Sequence, residues 1–245
     1  MRVVKKIIKN TLIIIIATLL TIGIYIFANG YILYKQTIKK MSISDKVEQI
    51  RQSEKFVSIN EIPQNYKNAV IAVEDHRFNE HGAVDVIAIG RALTSNIKNK
   101  ELVEGGSTIT QQVAKNLYFM ENLNDSIDRK IAEILISIKL EKNYSKNEIL
   151  ELYVNDIYYG DGYYCIKDAC KGYFNKTPSE MNLYECTLLA GIPNAPSVYS
   201  PNVNPDLSKK RQEKVIKSMV QYGYLTQEEA DKINLNEYYE KWIKK

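Results

Sequence analysis

Three cysteines in 245 residues, Cys165, Cys170 and Cys186, are too few and too irregularly spaced for a disulfide framework or a zinc site. Free, partly buried thiols are expected, with an extracellular Cys165–Cys170 bridge as the alternative. Histidine is scarcer: His76 and His81 show no HExxH spacing and have no cysteine nearby, which argues against a histidine-held metal. A net charge of +4 without any dense Lys/Arg run interleaved with aromatics excludes a track for nucleic acid. That mild basic surplus suits an anionic membrane face or phosphates better. No segment alternates apolar and polar residues for long enough to argue a sheet, and there is no internal repeat or low-complexity stretch.

What is present begins with one long apolar run. LIIIIATLLTIGIYIFA, Leu12 to Ala28, carries no charge, and with Tyr31 to Leu33 it is long enough to cross roughly 30 Å of hydrocarbon as a helix. The span is placed at 11–33, after an N-terminal segment at 1–10 and before a juxtamembrane linker at 34–56. Arg2, Lys5, Lys6 and Lys9 precede it and Lys35, Lys39 and Lys40 follow, which places the N-terminus in the cytoplasm and the remainder outside. The small residues Ala28 and Gly30 keep a cleaved signal peptide as an alternative. The roughly 210 residues that remain are enough for one compact domain with a real core.

The apolar spacing beyond the span is helical. Ala69 to Ala72, Val84 to Leu93 and Ile109 to Leu117 read as short helices. Arg129 to Leu140 reads as a clearer one, with an apolar stripe through Ile131, Leu135 and Ile138. Ser145 with Glu148 forms a capping box before ILELYVN; Thr177, Pro178 and Glu180 form another start signal, for a helix running through NLYECTLLA to Gly191 and Pro193. Ser208 to Gln221, closed by Gly223, and a helix opened by Thr226 with Glu229 complete a helical tail. Thr94 to Ser107, polar and ending in Gly105 and Gly106, is expected as a mobile loop.

Polar chemistry concentrates between these helices. Glu74 and Asp75 end the apolar run AVIAV, where burial of a carboxylate favours a general base; alone, the pair also fits a solvated helix end. Gln111 and Lys115 are four apart on one helix face, as are Gln112 and Asn116, so a single helix presents amides and an ammonium to one ligand. Ser107 and the two glycines lie just before that helix, where free N–H groups suit a phosphate or a sugar hydroxyl. Arg129 and Glu133 are either an intrahelical ion pair or a guanidinium for phosphate with an acid beside it.

In this order the segments closely resemble the peptidoglycan glycosyltransferases of glycosyltransferase family 51, lysozyme-like enzymes that polymerise a lipid-linked disaccharide. Five blocks carry the resemblance: EDHRFNEHG from Glu74, GGSTITQQVAKN from Gly105, RKIAE from Arg129, KNEILELYVNDIYYG from Lys146 and ECTLLAGIPNAPSVYSP from Glu185. It implies a mainly α, lysozyme-like, two-lobed domain over 57–235, with a tail at 236–245, one N-terminal transmembrane helix, and the monofunctional type without a transpeptidase domain. Glu74 would be the general base on the acceptor 4-hydroxyl and Glu133 the second acid. Asp75 would support the site, His81 order its loop and Phe78 anchor packing. Lys115 and Arg129 would neutralise the donor pyrophosphate, with Ser107, Gln111, Gln112 and Asn116 positioning sugar and phosphate oxygens. Implied partners are lipid II, the growing glycan strand, the cell membrane and other cell-wall synthesis proteins, with no nucleic acid. A magnesium or manganese ion is admitted by the resemblance, and no organic cofactor. A lipid substrate further implies an apolar strip, expected in the juxtamembrane stretch and at 95–104. The acidic link before Arg129, with Glu121, Asp125 and Asp128, departs from the family and would weaken phosphate binding or recruit a cation. A glycan-cleaving lysozyme-like enzyme and a non-catalytic cell-wall scaffold are the alternative readings.

Overall fold

The computed structural model describes residues 2–99, 105–120 and 126–243. Among them the chain is helical without a strand, as expected. The helices are α1 (Arg2–Lys40), α2 (Ile43–Arg51), α3 (Gln64–Glu74), α4 (Val86–Asn99), α5 (Ile109–Phe119), α6 (Ile127–Asn143) and α7 (Lys146–Asp156). There follow α8 (Ile166–Phe174), α9 (Leu183–Gly191), α10 (Pro196–Tyr199), α11 (Pro205–Gln221), α12 (Gln227–Asp231) and α13 (Leu235–Ile243).

Local sequence starts many of these helices. Thr108 with Gln111, Ser145 with Glu148, Asn182 with Glu185 and Thr226 with Glu229 each close a capping box, satisfying two otherwise orphaned N–H groups at a helix start. Gly223 sits at φ +75° just after α11, a conformation glycine adopts without steric cost.

Two helix groups face each other. α3, α9 and α11 pack together on one side, and α5, α6 and α7 on the other, with α1 lying along α6. Their shared core holds Tyr66, Tyr153 and Tyr159, all fully buried, and the Tyr66 and Tyr159 hydroxyls satisfy each other at 2.7 Å. The KNEILELYVN block proves to be a strap. Glu148 pairs with Arg51, Glu151 accepts from the Ile59 N–H, and Asn155 bonds both the N–H and the carbonyl of Val57, pinning 57–59 against α7.

Several expectations are corrected. The Thr177 box opens only a 3-10 turn, Pro178–Glu180; α9 begins at Leu183 because Asn182 and Glu185 supply a nearer cap. On α6 the core face is Ala132, Ile136 and Leu140, whereas Ile131 meets α1 and Ile138 is exposed, so the stripe read from the sequence belongs to a second, outer contact. Thr94 to Asn99 continue α4 rather than forming a loop; 100–104 lie outside the described residues. Val86, Ile87 and Ile89 at the start of α4 are exposed apolar side chains, while the side chains after Ser95 up to 104, where an apolar strip was expected, lie outside the described residues. Glu121 and Asp125 also lie outside the described residues, and Asp128 stands in the first turn of α6, where an acid complements the helix dipole. The stretch 34–56 contains the end of α1 and all of α2, with Tyr34, Ile43 and Val47 in the core, and Tyr239 and Trp242 of α13 are likewise buried. Cys165, Cys170 and Cys186 are all free and buried.

α1 is apolar enough to cross a membrane from Val4 onward. Its residues from Val4 to Tyr25 are exposed all round, while from Ile26 to Ile38 one face turns inward.

Candidate active site

A cleft of about 690 Å³ opens between the two helix groups. Glu74 enters it from the last turn of α3, where the apolar face of that helix ends and Asp75 takes a non-helical conformation. Its carboxylate is nearly buried and held from two sides: Arg211 Nη2 donates to Oε1 at 2.9 Å, and Gln112 Nε2 donates to Oε2 at 3.0 Å. Arg211 is itself aimed by its Nε, which donates to the Gly191 carbonyl at 3.1 Å. A Cβ at Gly191 would lie 3.1 Å from Arg211 Cγ, so that glycine is the residue that lets α11 bring the guanidinium in.

Opposite, α6 supplies Glu133. Arg129 donates to its Oε1, and Lys130 Nζ donates to its Oε2 at 3.0 Å and to Ser107 Oγ at 3.0 Å. Arg129 is 8 % exposed and packs behind Glu133, while Lys130 lines the cleft. α5 contributes Gln111, Gln112, Lys115 and Asn116. Gln111 also serves its capping box, accepting from the Thr108 N–H. Lys115 has no ion-pair partner among the described residues. The buried Asn116 Nδ2 has no hydrogen-bond partner among them.

Asp75 and His81 do not line the cleft. Asp75 Oδ2 accepts the Ile109 N–H at 3.0 Å and Oδ1 lies 2.7 Å from His81 Nε2, whose ring Nδ1 is 2.6 Å from the Gly82 carbonyl. The pair ties the EDHRFNEHG loop to the start of α5, and so sets Glu74 and Gln112 relative to each other. Phe78 is buried, with the Lys146 ammonium 4.4 Å over its ring.

Thus Glu74, Ser107, Gln111, Gln112, Lys115, Asn116 and Glu133 are brought together at the surface of one cleft; Asp75, His81 and Arg129 stand behind it. Sequence reasoning did not place Arg91, Lys130, Arg211 or Lys214 at the site, and it weighed His76 only as a metal ligand. His76 lines the cleft, stacked on Tyr222 at 4.2 Å, with Arg91 Nη1 donating to its Nε2 at 3.0 Å. Burial first, and the neighbouring Arg91 second, hold its pKa below the ordinary imidazole value. A basic residue adjoining Glu133 in the RKIAE block was a usable signal for Lys130; nothing local marks Arg211.

The cleft is lined by five cations, Arg91, Lys115, Lys130, Arg211 and Lys214, against the two carboxylates Glu74 and Glu133, so it attracts an anion. A mainly helical domain in which two such groups of helices flank a carboxylate amid surplus cations fits an enzyme that acts on an anionic substrate. The sequence matches the Transglycosylase family over residues 40–220, and the chain belongs to that family, the peptidoglycan glycosyltransferases. It is 45% identical to Penicillin-binding protein 1F of Bacillus subtilis (strain 168) over 174 residues, 71% of this chain and 24% of the relative. It is 40% identical to Penicillin-binding protein 1A of Neisseria gonorrhoeae over 195 residues, 79% of this chain and 24% of the relative. The chain therefore spans about a quarter of the length of these curated relatives. A crystal structure of Penicillin-Binding Protein 1A from Haemophilus influenzae aligns with a TM-score of 0.43 at 23% identity, over 72% of this chain and 16% of that one, too distant to add to the family assignment.

Proposed function

We propose that this protein polymerises lipid II into linear glycan strands by an inverting transfer that releases undecaprenyl pyrophosphate. One observation carries the reading: Glu74 is held by Arg211 and Gln112 at the wall of a cleft whose remaining charge is largely positive.

The chemistry divides between those halves. Glu74 removes the proton from the acceptor 4-hydroxyl as that oxygen attacks C1 of the donor sugar from the face opposite the leaving group. The departing diphosphate gains charge in a water-poor cleft and needs preplaced cations there. Lys115, unpaired among the described residues, and Lys130 supply them, with Lys214 and Arg129 adding to the field. Glu133 acts through its partners, fixing Arg129 and Lys130 by one oxygen each. Ser107, Gln112 and Asn116 offer hydrogen bonds to sugar and phosphate oxygens.

The magnesium or manganese ion admitted by the resemblance has a poor donor set here. A hard divalent cation takes several oxygen ligands, yet both cleft carboxylates already carry cationic partners. The one cluster of potential ligands among the described residues, Asp75, His81 and Asp85, is tied up by the Ile109 N–H, the Gly82 carbonyl, the start of α4 and Arg77.

α1 crosses the membrane once and keeps the domain at the outer surface, where a lipid-borne substrate is met. Fluorescent lipid II, given to the detergent-solubilised full chain and to Glu74→Gln, tests the reading. Glycan ladders from the parent and none from the variant are expected. Absence of polymer from a folded parent would refute it, and release of fragments from existing wall would replace it with a hydrolase.

A further inference from the structure

α1 is more than a tether. After the all-round exposed run from Val4 to Tyr25, its Ile26, Gly30, Leu33, Tyr34, Thr37 and Ile38 turn toward the domain at helical three- and four-residue spacing. At Gly30 the approach to α6 is closest. A Cβ there would stand 2.5 Å from Ile131 Cβ, 2.6 Å from Ile131 Cγ2 and 3.0 Å from the Asp128 carbonyl oxygen. Glycine at a helix crossing lets two backbones come together. Ile131 offers no escape: the nearest atom is its Cβ, fixed to the backbone, and a β-branched side chain in a helix has one strongly preferred χ1 rotamer.

The helix seated against Gly30 carries Lys130 and Glu133 of the cleft, with Arg129 behind them. Arg129, Lys130 and Glu133 bracket Ile131 within a single turn and a half. α1 is clamped just beyond the crossing, with Tyr34 in the core and Tyr118 donating its hydroxyl proton to the Met41 carbonyl at 3.1 Å. The outer face of α6 has little else to hold it, since Ile127 and Ile138 are exposed. A wedge at Gly30 therefore displaces α1 and α6 relative to each other. Gly23, seven residues earlier on the same helix, has nothing within 4 Å of where its Cβ would be.

We propose that Gly30 is a positioning residue for the transferase reaction: its bare backbone seats the membrane helix on Ile131 of α6 and so fixes where Lys130, held with Arg129 by Glu133, meets the donor phosphates. The inference rests on the reading under Proposed function for its link to turnover. A displacement of about 1 Å at reacting groups costs up to about 100-fold in rate.

The test uses the full chain in phospholipid nanodiscs, with Gly30→Ala, Gly23→Ala and Gly30→Ala combined with Ile131→Gly. Lipid II turnover is resolved into kcat and KM, and hydrogen exchange is followed across Ile127–Asn143. Gly30→Ala is expected to lower kcat about 10-fold, to speed exchange in α6, and to leave the melting midpoint near that of the parent. Gly23→Ala should match the parent, and moving the glycine across to position 131 should recover part of the loss. Parental kcat and exchange in Gly30→Ala would overturn the proposal. Equal losses in Gly30→Ala and Gly23→Ala would also overturn it, by pointing to membrane insertion in general. A parent that makes no polymer would refute the lipid II reading instead, and the exchange comparison would then decide the contact on its own.

Discussion

Arg211 reaches across 137 positions of sequence to place Nη2 2.9 Å from Oε1 of Glu74. Both side chains are less than a tenth exposed, so this is a buried pair and not a surface ornament. It gives the carboxylate one orientation, with the Gly191 carbonyl holding the guanidinium in turn. Replacing Arg211 by Ala leaves Glu74 buried with only Gln112. Breaking a buried pair from one side costs about 3 kcal/mol. The expected result is a lower melting midpoint together with a fall in kcat of at least about 10-fold. Arg211→Lys should recover stability better than rate, because an ammonium cannot span Gly191 and Glu74 as the guanidinium fork does. Melting curves and steady-state turnover on the same preparations check both.

The two cleft lysines should separate binding from structure. Lys115 has no ion-pair partner among the described residues, whereas Lys130 bridges Glu133 and Ser107. Lys115→Gln removes charge that only substrate uses, so KM for lipid II should rise about 10-fold, equivalent to about 1.4 kcal/mol of binding, with little change in melting midpoint. Lys130→Gln also loosens Glu133, so kcat should fall as well. Equal effects of the two on kcat would contradict this division.

The elements that sequence reveals best here are those whose cause is local. The Ser145–Glu148 and Thr226–Glu229 boxes and the Gly223 stop are written within a few residues, and the structure keeps them. Glu74 was singled out by the resemblance carried by EDHRFNEHG, since the end of an apolar helix face alone also fitted a solvated carboxylate, and Gln112 shared a helix with Lys115 in the next block. Arg211 was not, since its partner lies 137 positions away in sequence and only the packing of α11 on α3 and α9, close at Gly191, brings them together. The same holds for α6. Its stripe of Ile131, Leu135 and Ile138 was visible as apolar, but periodicity cannot say that two different partners claim the two sides of a helix. Asp75 and His81 carried polar chemistry in the sequence, while the fold uses them to fasten α5 to the loop after α3.

The cysteines should be chemically silent in the native protein. Burial pushes Cys186 up to about 12 and raises Cys165 and Cys170 as well. The thiolate is the reactive form, so maleimide at pH 8 should leave the folded chain unlabelled. All three thiols should label once denaturant is added. Rapid labelling of the native chain would mean that α8 or α9 opens locally.

Asp156, the last residue of α7, has a buried Oδ2 without a hydrogen-bond partner among the described residues. Burial raises its pKa from 3.8 to about 6, opposed only by Lys46. The native state therefore holds a proton that the unfolded chain releases between those values. This stabilising contribution is full below the unfolded pKa and is lost as pH rises through about 6. A shift of about two units corresponds to about 3 kcal/mol, an upper figure because the side chain is not wholly shut off from solvent. At pH 7.5 the charge is a liability, so Asp156→Asn should raise the melting midpoint there by several degrees. Between pH 4 and 7 the variant should also lose the downward slope that this group gives the parent. The residue lines a second cavity with Lys46, Asn116 and Tyr164 and is not among the residues that line the cleft. Turnover at pH 7.5 should consequently stay close to that of the parent. A variant less stable than the parent at pH 7.5 would show that the ionised carboxylate is satisfied in solution.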